Sequence, residues 1–173
     1  MIRLLLAILV AVNGCAVAAP SPVSDLDLNR YQGTWYEVAR MPNRFQKGCV
    51  QAAMARYQRL DSGKLSVENQ CETANGKRKV ARGIARQPDP NQPGKLEVSF
   101  FRVFGLRPIW GAYWVLAIDA DYEVAVVGDA KQKYAWILSR TPFLPEDDMQ
   151  DAIAVLTRNG YDTRTLIQYY FDF

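Results

Sequence analysis

Few residues in this chain could do chemistry, because its 173 residues include no histidine. Catalysis by a Ser-His-Asp or Cys-His arrangement, a zinc site with histidine ligands and a haem held by histidine are all excluded. An enzyme would have to use cysteine, lysine or paired carboxylates. The evident pair, Asp119 and Asp121, lies where a polar turn is expected. The sequence therefore predicts a protein that is not an enzyme and that uses no metal or cofactor.

The three cysteines offer covalent linkage instead. Cys49 and Cys71 form an even pair once Cys15 is assigned to an export segment, and such a pair is expected to be bridged in an oxidising compartment. Closing a loop of roughly 20 residues contributes about 3 kcal/mol in the loop-entropy model. Mirroring the chain about the Ser62-Gly63 turn places Cys49 opposite Gly76, so the bridge requires a bulge or a bend before the second strand. The alternative is two buried thiols.

Residues 1–18 have the pattern of an export signal, with Arg3 as a positive start and an apolar run from Leu4 to Val12 that is too short to span a bilayer. Two processing schemes are open. Ala16-Val17-Ala18 is a signal peptidase site, and cleavage after Ala18 would give a soluble periplasmic chain. Val12-Asn13-Gly14-Cys15 resembles the lipobox of bacterial lipoproteins, and cleavage after Gly14 would leave Cys15 acylated. We favour the second scheme, with lipidation at Cys15 and anchoring in the bacterial outer membrane.

The rest of the chain has the composition of a folded domain, because 49% of all residues are apolar and 23% are charged. Its length fits one domain better than two. We expect a linker over residues 19–30 and a single domain over residues 31–173. Lysine and arginine number 21 against 18 acidic residues, and the net charge of +3 is too small to indicate a nucleic-acid partner.

Short segments with strand character recur along this domain between turn residues. The predicted strands are Thr34–Met41, Val50–Leu60, Lys64–Gln70, Arg78–Ala85, Lys95–Phe101, Ala112–Asp119, Glu123–Val127 and Tyr134–Ser139. No helical segment separates them. The sequence therefore predicts an all-β fold, an eight-stranded antiparallel up-and-down barrel with room for one small ligand.

One helix is predicted after the strands, with Pro145 as its first residue and Gly160 beyond its last turn. Acidic residues fill its first turn, which suits the positive end of the helix dipole. Its apolar stripe consists of Met149, Ala152, Ile153 and Leu156. Such a stripe is expected to pack against the outside of the barrel.

Three blocks of the sequence resemble the lipocalin family. Tyr31 to Arg40, YQGTWYEVAR, resembles the G-x-W block that opens lipocalins, and Asp121-Tyr122 and Trp136 to Pro142 resemble the second and third blocks. The resemblance runs from about Leu28 to Leu166 and is closest to the branch of bacterial outer-membrane lipoproteins and apolipoprotein D. It implies a calyx of eight strands, closed at one end, with the late helix on its side. The segment from Gln168 to Phe173 departs from the family pattern.

The same resemblance implies structural roles for two residues. The tryptophan matched by Trp35 packs under the barrel, and the arginine matched by Arg140 lies across its ring and closes the bottom. Both would build the container without touching the ligand. The loops after strands one, three, five and seven then share the open end, and their charged residues are mostly basic. Those expected to contact an anionic head group are Arg44, Lys47, Arg102 and Arg107.

The loop from Phe101 to Trp110 is apolar where a loop is normally polar. Exposed apolar clusters bordered by charge mark ligand, membrane or partner surfaces. We expect this loop to form a rim or lid at the open end. The alternatives are that Phe104 and Trp110 fold inward or lie in a homodimer contact.

Alternation of side chains along strands predicts which residues line the cavity. If Arg140 points inward, so do Leu138 and Trp136, and matching sets follow on other strands, although a register shift of one residue would invert any set. The predicted lining residues are Ala53, Ala55, Tyr57, Val67, Asn69, Val98, Phe100, Tyr113, Val115, Trp136 and Leu138. Small residues beside aromatic ones suggest a slot for an acyl chain.

The sequence therefore predicts non-catalytic binding and storage or transport of hydrophobic ligands, either fatty acids or lysophospholipids, at the bacterial cell envelope. The alternative is an envelope protein-interaction module in which the cavity is incidental. Retained lipid in a native mass spectrum would favour the first hypothesis, and an empty barrel with a tight protein partner would favour the second.

Overall fold

This computed structural model describes residues 19–169 of the chain. These residues contain nine strands and three helical segments, joined by loops. The strands are β1 (Gly33–Arg40), β2 (Met54–Arg59), β3 (Leu65–Glu72), β4 (Arg78–Arg86), β5 (Lys95–Ser99), β6 (Gly111–Ile118), β7 (Val124–Gly128), β8 (Ala135–Ser139) and β9 (Ile167–Gln168). The helical segments are α1 (Leu28–Tyr31), α2 (Glu146–Arg158) and a 3-10 helix (Thr163–Thr165). The predicted export signal with Cys15 lies outside the described residues, as do residues 170–173.

Strands β1 to β8 form the predicted closed antiparallel barrel. Each strand pairs with the next along the chain, and β1 pairs with both β8 and β2, which closes the sheet on itself. The predicted fold class is confirmed. The largest boundary difference is in the second strand, which begins at Met54 and not at Val50.

Strand β9 is not predicted by the sequence. Because β2 pairs only with Gly33 to Tyr36, the second half of β1 has an open edge, and β9 pairs there with Ala39 opposite Gln168. The backbone N–H of Tyr169 donates to the carbonyl of Val38 at 2.9 Å and continues this ladder. The segment that departs from the family pattern therefore begins by completing the barrel wall.

Two bulges direct consecutive side chains to the outside of the wall. The register shifts between Glu37 and Ala39 in β1, and between Val115 and Ala117 in β6. Residues within the shifts therefore join an outer apolar cluster, whereas Trp35 and Val115 belong to the cluster inside the barrel.

Helix α2 packs on the outside of the barrel against β6 and β7, as predicted. Met149, Ala152 and Leu156 are buried in the outer cluster, and Ile153 is partly buried. Pro145 is the N-cap residue and not the first helical residue, so the helix begins one position later than expected. No helix in residues 19–169 is both long and apolar enough to cross a membrane.

Part of the predicted linker packs into the domain. Leu26 and Leu28 are buried in the inner cluster, and the N–H of Val23 donates to the carbonyl of Val115 at 2.9 Å. Helix α1 follows, with the Asp27 side chain as its N-cap. These contacts seal the closed end of the barrel. Residues 23–28 are therefore packed as part of the domain and do not form a free linker.

The predicted disulfide between Cys49 and Cys71 is confirmed, with a Cα–Cα distance of 5.7 Å. Cys49 lies opposite Thr73 and not opposite Gly76. Between the Cys49 bridge and the start of β2 at Met54, one chain advances five positions while the other moves three, from Thr73 to Gln70. The ladder is thus interrupted before β2, and this irregularity brings the two cysteines together.

Candidate functional site

One end of the barrel is closed by a cation on an aromatic ring. The Arg140 guanidinium carbon lies 3.8 Å from the centroid of the Trp35 ring, and Trp35 is fully buried. The guanidinium also donates to the carbonyls of Tyr122, Thr34 and Arg30 at 3.0, 3.0 and 2.7 Å. Burial lowers the pKa of Arg140 from its ordinary value, which is too high for the charge to be lost. The group therefore ties three separate chain segments across the bottom.

The glycine two positions before Trp35 is required by this arrangement. Gly33 has a φ of +106°, a backbone conformation that residues with a side chain rarely adopt. A Cβ at this position would lie 3.1 Å from Nη1 of Arg140. The spacing of glycine and tryptophan in the first sequence block thus has a steric reason.

Three tyrosine hydroxyls form the floor of the interior. The Tyr113 hydroxyl lies 2.7 Å from that of Tyr31 and 2.9 Å from that of Tyr57. Burial raises the pKa of Tyr57 to about 12 and raises those of Tyr31 and Tyr113 well above their ordinary value, so all three hydroxyls are neutral. Three O–H groups share two hydrogen bonds, so one proton is left over within this cluster and is available to an acceptor.

The inward faces of the wall differ between the closed end and the mouth, and strand partners identify these faces because they point to the same side of the sheet. The inward residues nearest the closed end are buried, among them Leu65, Ala85, Leu96 and Ala125. Inward residues nearest the mouth are accessible to solvent, among them Asn69, Ala81, Gly111 and Trp136. The lower barrel is therefore filled with side chains, and the inner face of the upper barrel is accessible to solvent; this upper interior is termed the hollow.

The structure places every predicted lining residue on the inner face. Those that are buried and help to fill the lower half are Tyr57, Val67, Val115 and Leu138. Those that border the hollow are Ala53, Ala55, Asn69, Val98, Phe100, Tyr113 and Trp136. Phe100 fits because the inward position beside it is Gly83, where a Cβ would lie 2.7 Å from the phenyl ring. Contact of these residues with a ligand stays a prediction.

Glu37 is an acidic side chain inside the upper barrel. It is 4% exposed, its Oε1 lies 3.2 Å from Nε of Arg40, and its Oε2 accepts from Nε2 of Gln46 at 2.5 Å. Burial raises the pKa of Glu37 to about 7, and this effect outweighs the lowering by the Gln46 hydrogen bond and the Arg40 charge. Asn69 Oδ1 is also buried and has no hydrogen-bond partner among residues 19–169.

The loop between β1 and β2, termed the first mouth loop, is fixed to the wall. Gln46 bonds to Glu37 and also accepts from Nε1 of Trp136 at 3.1 Å. Lys79 of β4 donates to the carbonyl of Phe45 at 3.0 Å, and the disulfide holds the same loop at Cys49. Within this loop and beside it lies an open depression of about 520 Å³ that includes three cations, Arg40, Arg44 and Lys47.

The predicted head-group residues in the loop between β5 and β6 differ in their surroundings. Arg102 is exposed, like Arg44 and Lys47. Arg107 is half-buried and donates to the backbone carbonyl of Ser99, the last residue of β5, at 2.8 Å. Its guanidinium is therefore tied to the end of β5, and its contact with a head group stays a prediction.

Trp110 lies on the outer face of the wall, with the guanidinium carbon of the outward-pointing Arg86 3.9 Å from its ring centroid. Phe104 is fully exposed. Inward folding of these two aromatic residues is thus not observed, and the loop forms part of the rim.

This geometry, a barrel closed by an arginine on a tryptophan and hollow at its other end, agrees with comparisons to known proteins. A family model described as a lipocalin-like domain matches residues 26–170. The chain belongs to the lipocalin family. Lipocalins generally bind small hydrophobic ligands and are typically not enzymes.

Several lipocalins are similar over most of their length. The outer membrane lipoprotein Blc of Escherichia coli K12 is 36% identical over 159 residues, which are 88% of this chain and 86% of the relative. Temperature-induced lipocalin-1 of Arabidopsis thaliana is 37% identical over 147 residues, 83% and 78% of the two chains. Mouse apolipoprotein D is 33% identical over 152 residues, 83% and 77%. Among solved structures, insecticyanin of the tobacco hornworm matches with a TM-score of 0.69 and 26% identity over 92% and 87% of the chains.

Sequence reasoning missed several inward-facing residues of this lipocalin. Glu37 follows Trp35 by two positions, so alternation along β1 would have placed it inside. Arg40 could not be placed in this way, because the bulge after Glu37 reverses the alternation. Tyr31 was missed because α1 has only four residues and carries no periodic signal. No group of His, Cys, Asp and Glu side chains in the described residues is arranged to hold a metal ion.

Proposed function

We propose that this lipocalin is a non-catalytic carrier that binds one fatty acid or lysophospholipid in its upper barrel, and that it stores or transports this lipid at the bacterial envelope. The observation that carries the proposal is the solvent-accessible inner face of the upper barrel. Inward residues near the closed end, among them Leu65, Ala85 and Leu96, are buried, so the interior opens toward the mouth.

The walls of the hollow suit an acyl chain. Ala53, Ala55 and Ala81 leave space on one side, and the rings of Phe100 and Trp136 lie on the inner face as well. Each buried methylene contributes roughly 0.8 kcal/mol before ordering and association costs are subtracted. Because the tyrosines occupy the lower barrel, only part of the barrel depth is open to the chain.

The polar end of the ligand would then lie at the mouth. Arg40, Arg44 and Lys47 line the depression beside the first mouth loop, and a carboxylate or phosphate there would be attracted by all three. Catalysis is not part of the proposal, because the acidic turn residue Asp119 is used structurally. Its carboxylate accepts from the N–H groups of Glu123 and Val124 at 2.8 and 2.6 Å.

The location rests on relatives and on residues outside the described range. Similar proteins in Escherichia coli and Vibrio cholerae are named outer membrane lipoproteins. An acylated Cys15 would anchor this chain in the same membrane, whereas cleavage after Ala18 would leave it soluble in the periplasm. Intact mass of the mature amino terminus distinguishes the two forms.

A native mass spectrum of the protein purified from bacterial membranes tests the carrier function. Retained lipid is expected, and an empty barrel with a stoichiometric protein partner would favour the interaction module instead. A matched pair of variants locates the site. Ala55→Phe should fill the hollow and weaken binding of a fluorescent fatty acid at least tenfold, because a phenyl ring and an acyl chain cannot share that space. Ala112→Phe adds the same ring on the exposed outer face and should bind normally.

A further inference from the structure

A short hairpin projects from the mouth between β5 and β6. We term residues 101–109 the mouth finger. Val103 and Leu106 exchange two backbone hydrogen bonds of 3.0 and 2.9 Å, which leaves Phe104 and Gly105 as a two-residue turn. Both turn residues have positive φ, 46° and 83°, the signature of a type I′ hairpin turn.

Phe104 is an unfavourable residue for this position. Asn, Asp and Gly are preferred where φ is positive in such turns, and a bulky side chain there is strained. Phe104 is fully exposed, so within the described residues it packs against nothing that would offset the strain. Leu106 and Ile109 are also exposed, at 72% and 61%. A strained apolar tip is explained if its partner lies outside the chain.

The charges around the finger indicate the chemistry of that partner. Arg102 at the base of the finger is exposed, as are Arg44 and Lys47 on the first mouth loop, and Phe45 between them is half-exposed. An apolar tip with a cation at its base and further cations at the same end of the barrel matches a lipid surface, where apolar side chains reach the acyl region and cations remain among anionic head groups. A protein partner would not require apolar residues at the tip with cations below them.

The start of the described chain lies at the same end of the barrel. The N–H of Ser21 donates to Oδ1 of Asn159 at 2.7 Å, and the carbonyl of Asn159 accepts from Nε2 of Gln132 at 2.8 Å. Gln132 belongs to the loop between β7 and β8, which shares the mouth with the finger. Cys15 precedes Ser21 by six positions, a span of at most about 20 Å. An acyl group at Cys15 would therefore enter a membrane within reach of the mouth.

From these observations we propose that the mouth finger docks on an anionic lipid bilayer, with Phe104 in the acyl region and the open end of the barrel facing the membrane. The finger itself is separate from the hollow, whereas Arg44 and Lys47 are shared with the proposed head-group site. It would let a lipid pass between bilayer and barrel without crossing bulk water, and it would add a second, non-covalent contact to any acyl anchor.

The test uses a chain from Ala19 to Phe173, which contains every described strand and helix and has no acyl group. It is expected to bind vesicles of phosphatidylcholine with phosphatidylglycerol more strongly than vesicles of phosphatidylcholine alone. Phe104→Asn should weaken vesicle binding roughly tenfold, because the transfer of a phenyl ring to an apolar phase is lost. The same change should leave the free protein at least as stable, because Asn tolerates the turn conformation.

Phe143→Asn is the matched control, since Phe143 is 57% exposed in the loop after β8 at the opposite end of the barrel. This variant should bind vesicles like the unchanged chain. Equal losses for both variants, or no loss for Phe104→Asn, would overturn the docking proposal. So would self-association that Phe104→Asn abolishes in a chain that ignores vesicles, because the finger would then contact a second copy. Binding of a fluorescent fatty acid without vesicles should be unaffected by Phe104→Asn, so failure of the carrier function is scored separately.

Discussion

Among single residues, Glu37 has the most measurable consequence of burial. Its pKa of about 7 in the folded chain lies above the ordinary value of 4.5, so the folded state binds more protons than the unfolded state between these two values. The free energy of unfolding should therefore fall as the pH rises from 4.5 to 7, by about 3 kcal/mol in total.

Glu37→Gln should abolish this part of the pH dependence, and urea unfolding across the same pH range measures it. Glu68→Gln is the control, because Glu68 pairs with Arg82 on the outer wall, where the carboxylate is 39% exposed. Its pH dependence should match that of the unchanged chain. If Glu37→Gln keeps the full slope, another group must be responsible for it.

Tyr113 is the central hydroxyl of the floor, and its removal should cost more than the removal of a terminal one. Tyr113→Phe leaves the hydroxyls of Tyr31 and Tyr57 buried without this partner, and each such group costs about 1–3 kcal/mol. Tyr57→Phe removes one hydrogen bond and leaves the other in place. Denaturant unfolding of the two variants should rank Tyr113→Phe as the less stable, and the reverse order would contradict the network.

Among the elements, the sequence predicts well what periodicity and turn residues encode. The strands β3, β4, β7 and β8 and the helix α2 fall within a few residues of their predicted positions, because alternation or a helical stripe marks each of them. Strand β9 has two residues and forms only because β2 leaves an edge of β1 open, so it depends on tertiary context. Helix α1 also depends on tertiary context, because the packing of Leu28 and Tyr31 holds it in place.

The candidate site shows the same difference between residues on regular strands, which the sequence places, and residues in loops, which it does not. Alternation along regular strands is sufficient to place lining residues such as Ala55 and Trp136. It cannot show that Arg107 folds back to the carbonyl of Ser99, because loop side chains have no period. It also cannot place Gln46, which lies in a loop that the disulfide at Cys49 holds and which bonds to Glu37 inside the barrel.

The first mouth loop offers a prediction for a whole element. The disulfide joins positions separated by 22 residues, and its reduction should lower the free energy of unfolding by about 3 kcal/mol in the loop-entropy model. Denaturant titrations with and without a reductant measure the difference. A Cys49→Ser/Cys71→Ser chain is the control and should be insensitive to the reductant. Equal stability of the oxidised and reduced chains would show that the remaining contacts of the loop suffice.

At the scale of the whole molecule, the charge is unevenly distributed between the two ends. Cations line the depression at the mouth, whereas the turns at the closed end include Asp61, Asp89, Asp119 and Asp121. The Arg140 guanidinium seals the closed end and donates hydrogen bonds to three backbone carbonyls there. An anionic ligand that approaches from solvent is therefore expected to be attracted more strongly to the mouth than to the closed end.

This polarity should make binding sensitive to salt in a way that depends on the ligand. Affinity for a fatty acid anion should fall as ionic strength rises, because the Debye length shrinks to about 10 Å at 0.1 M and to less above it. Affinity for the corresponding fatty alcohol should stay nearly constant, since its burial involves no charge. Arg44→Gln/Lys47→Gln should weaken anion binding at low salt and remove most of its salt dependence, whereas Lys64→Gln at the closed end should change neither. Equal salt dependence of the acid and the alcohol would place the head group away from these cations, and fluorescence titration of both ligands decides the question.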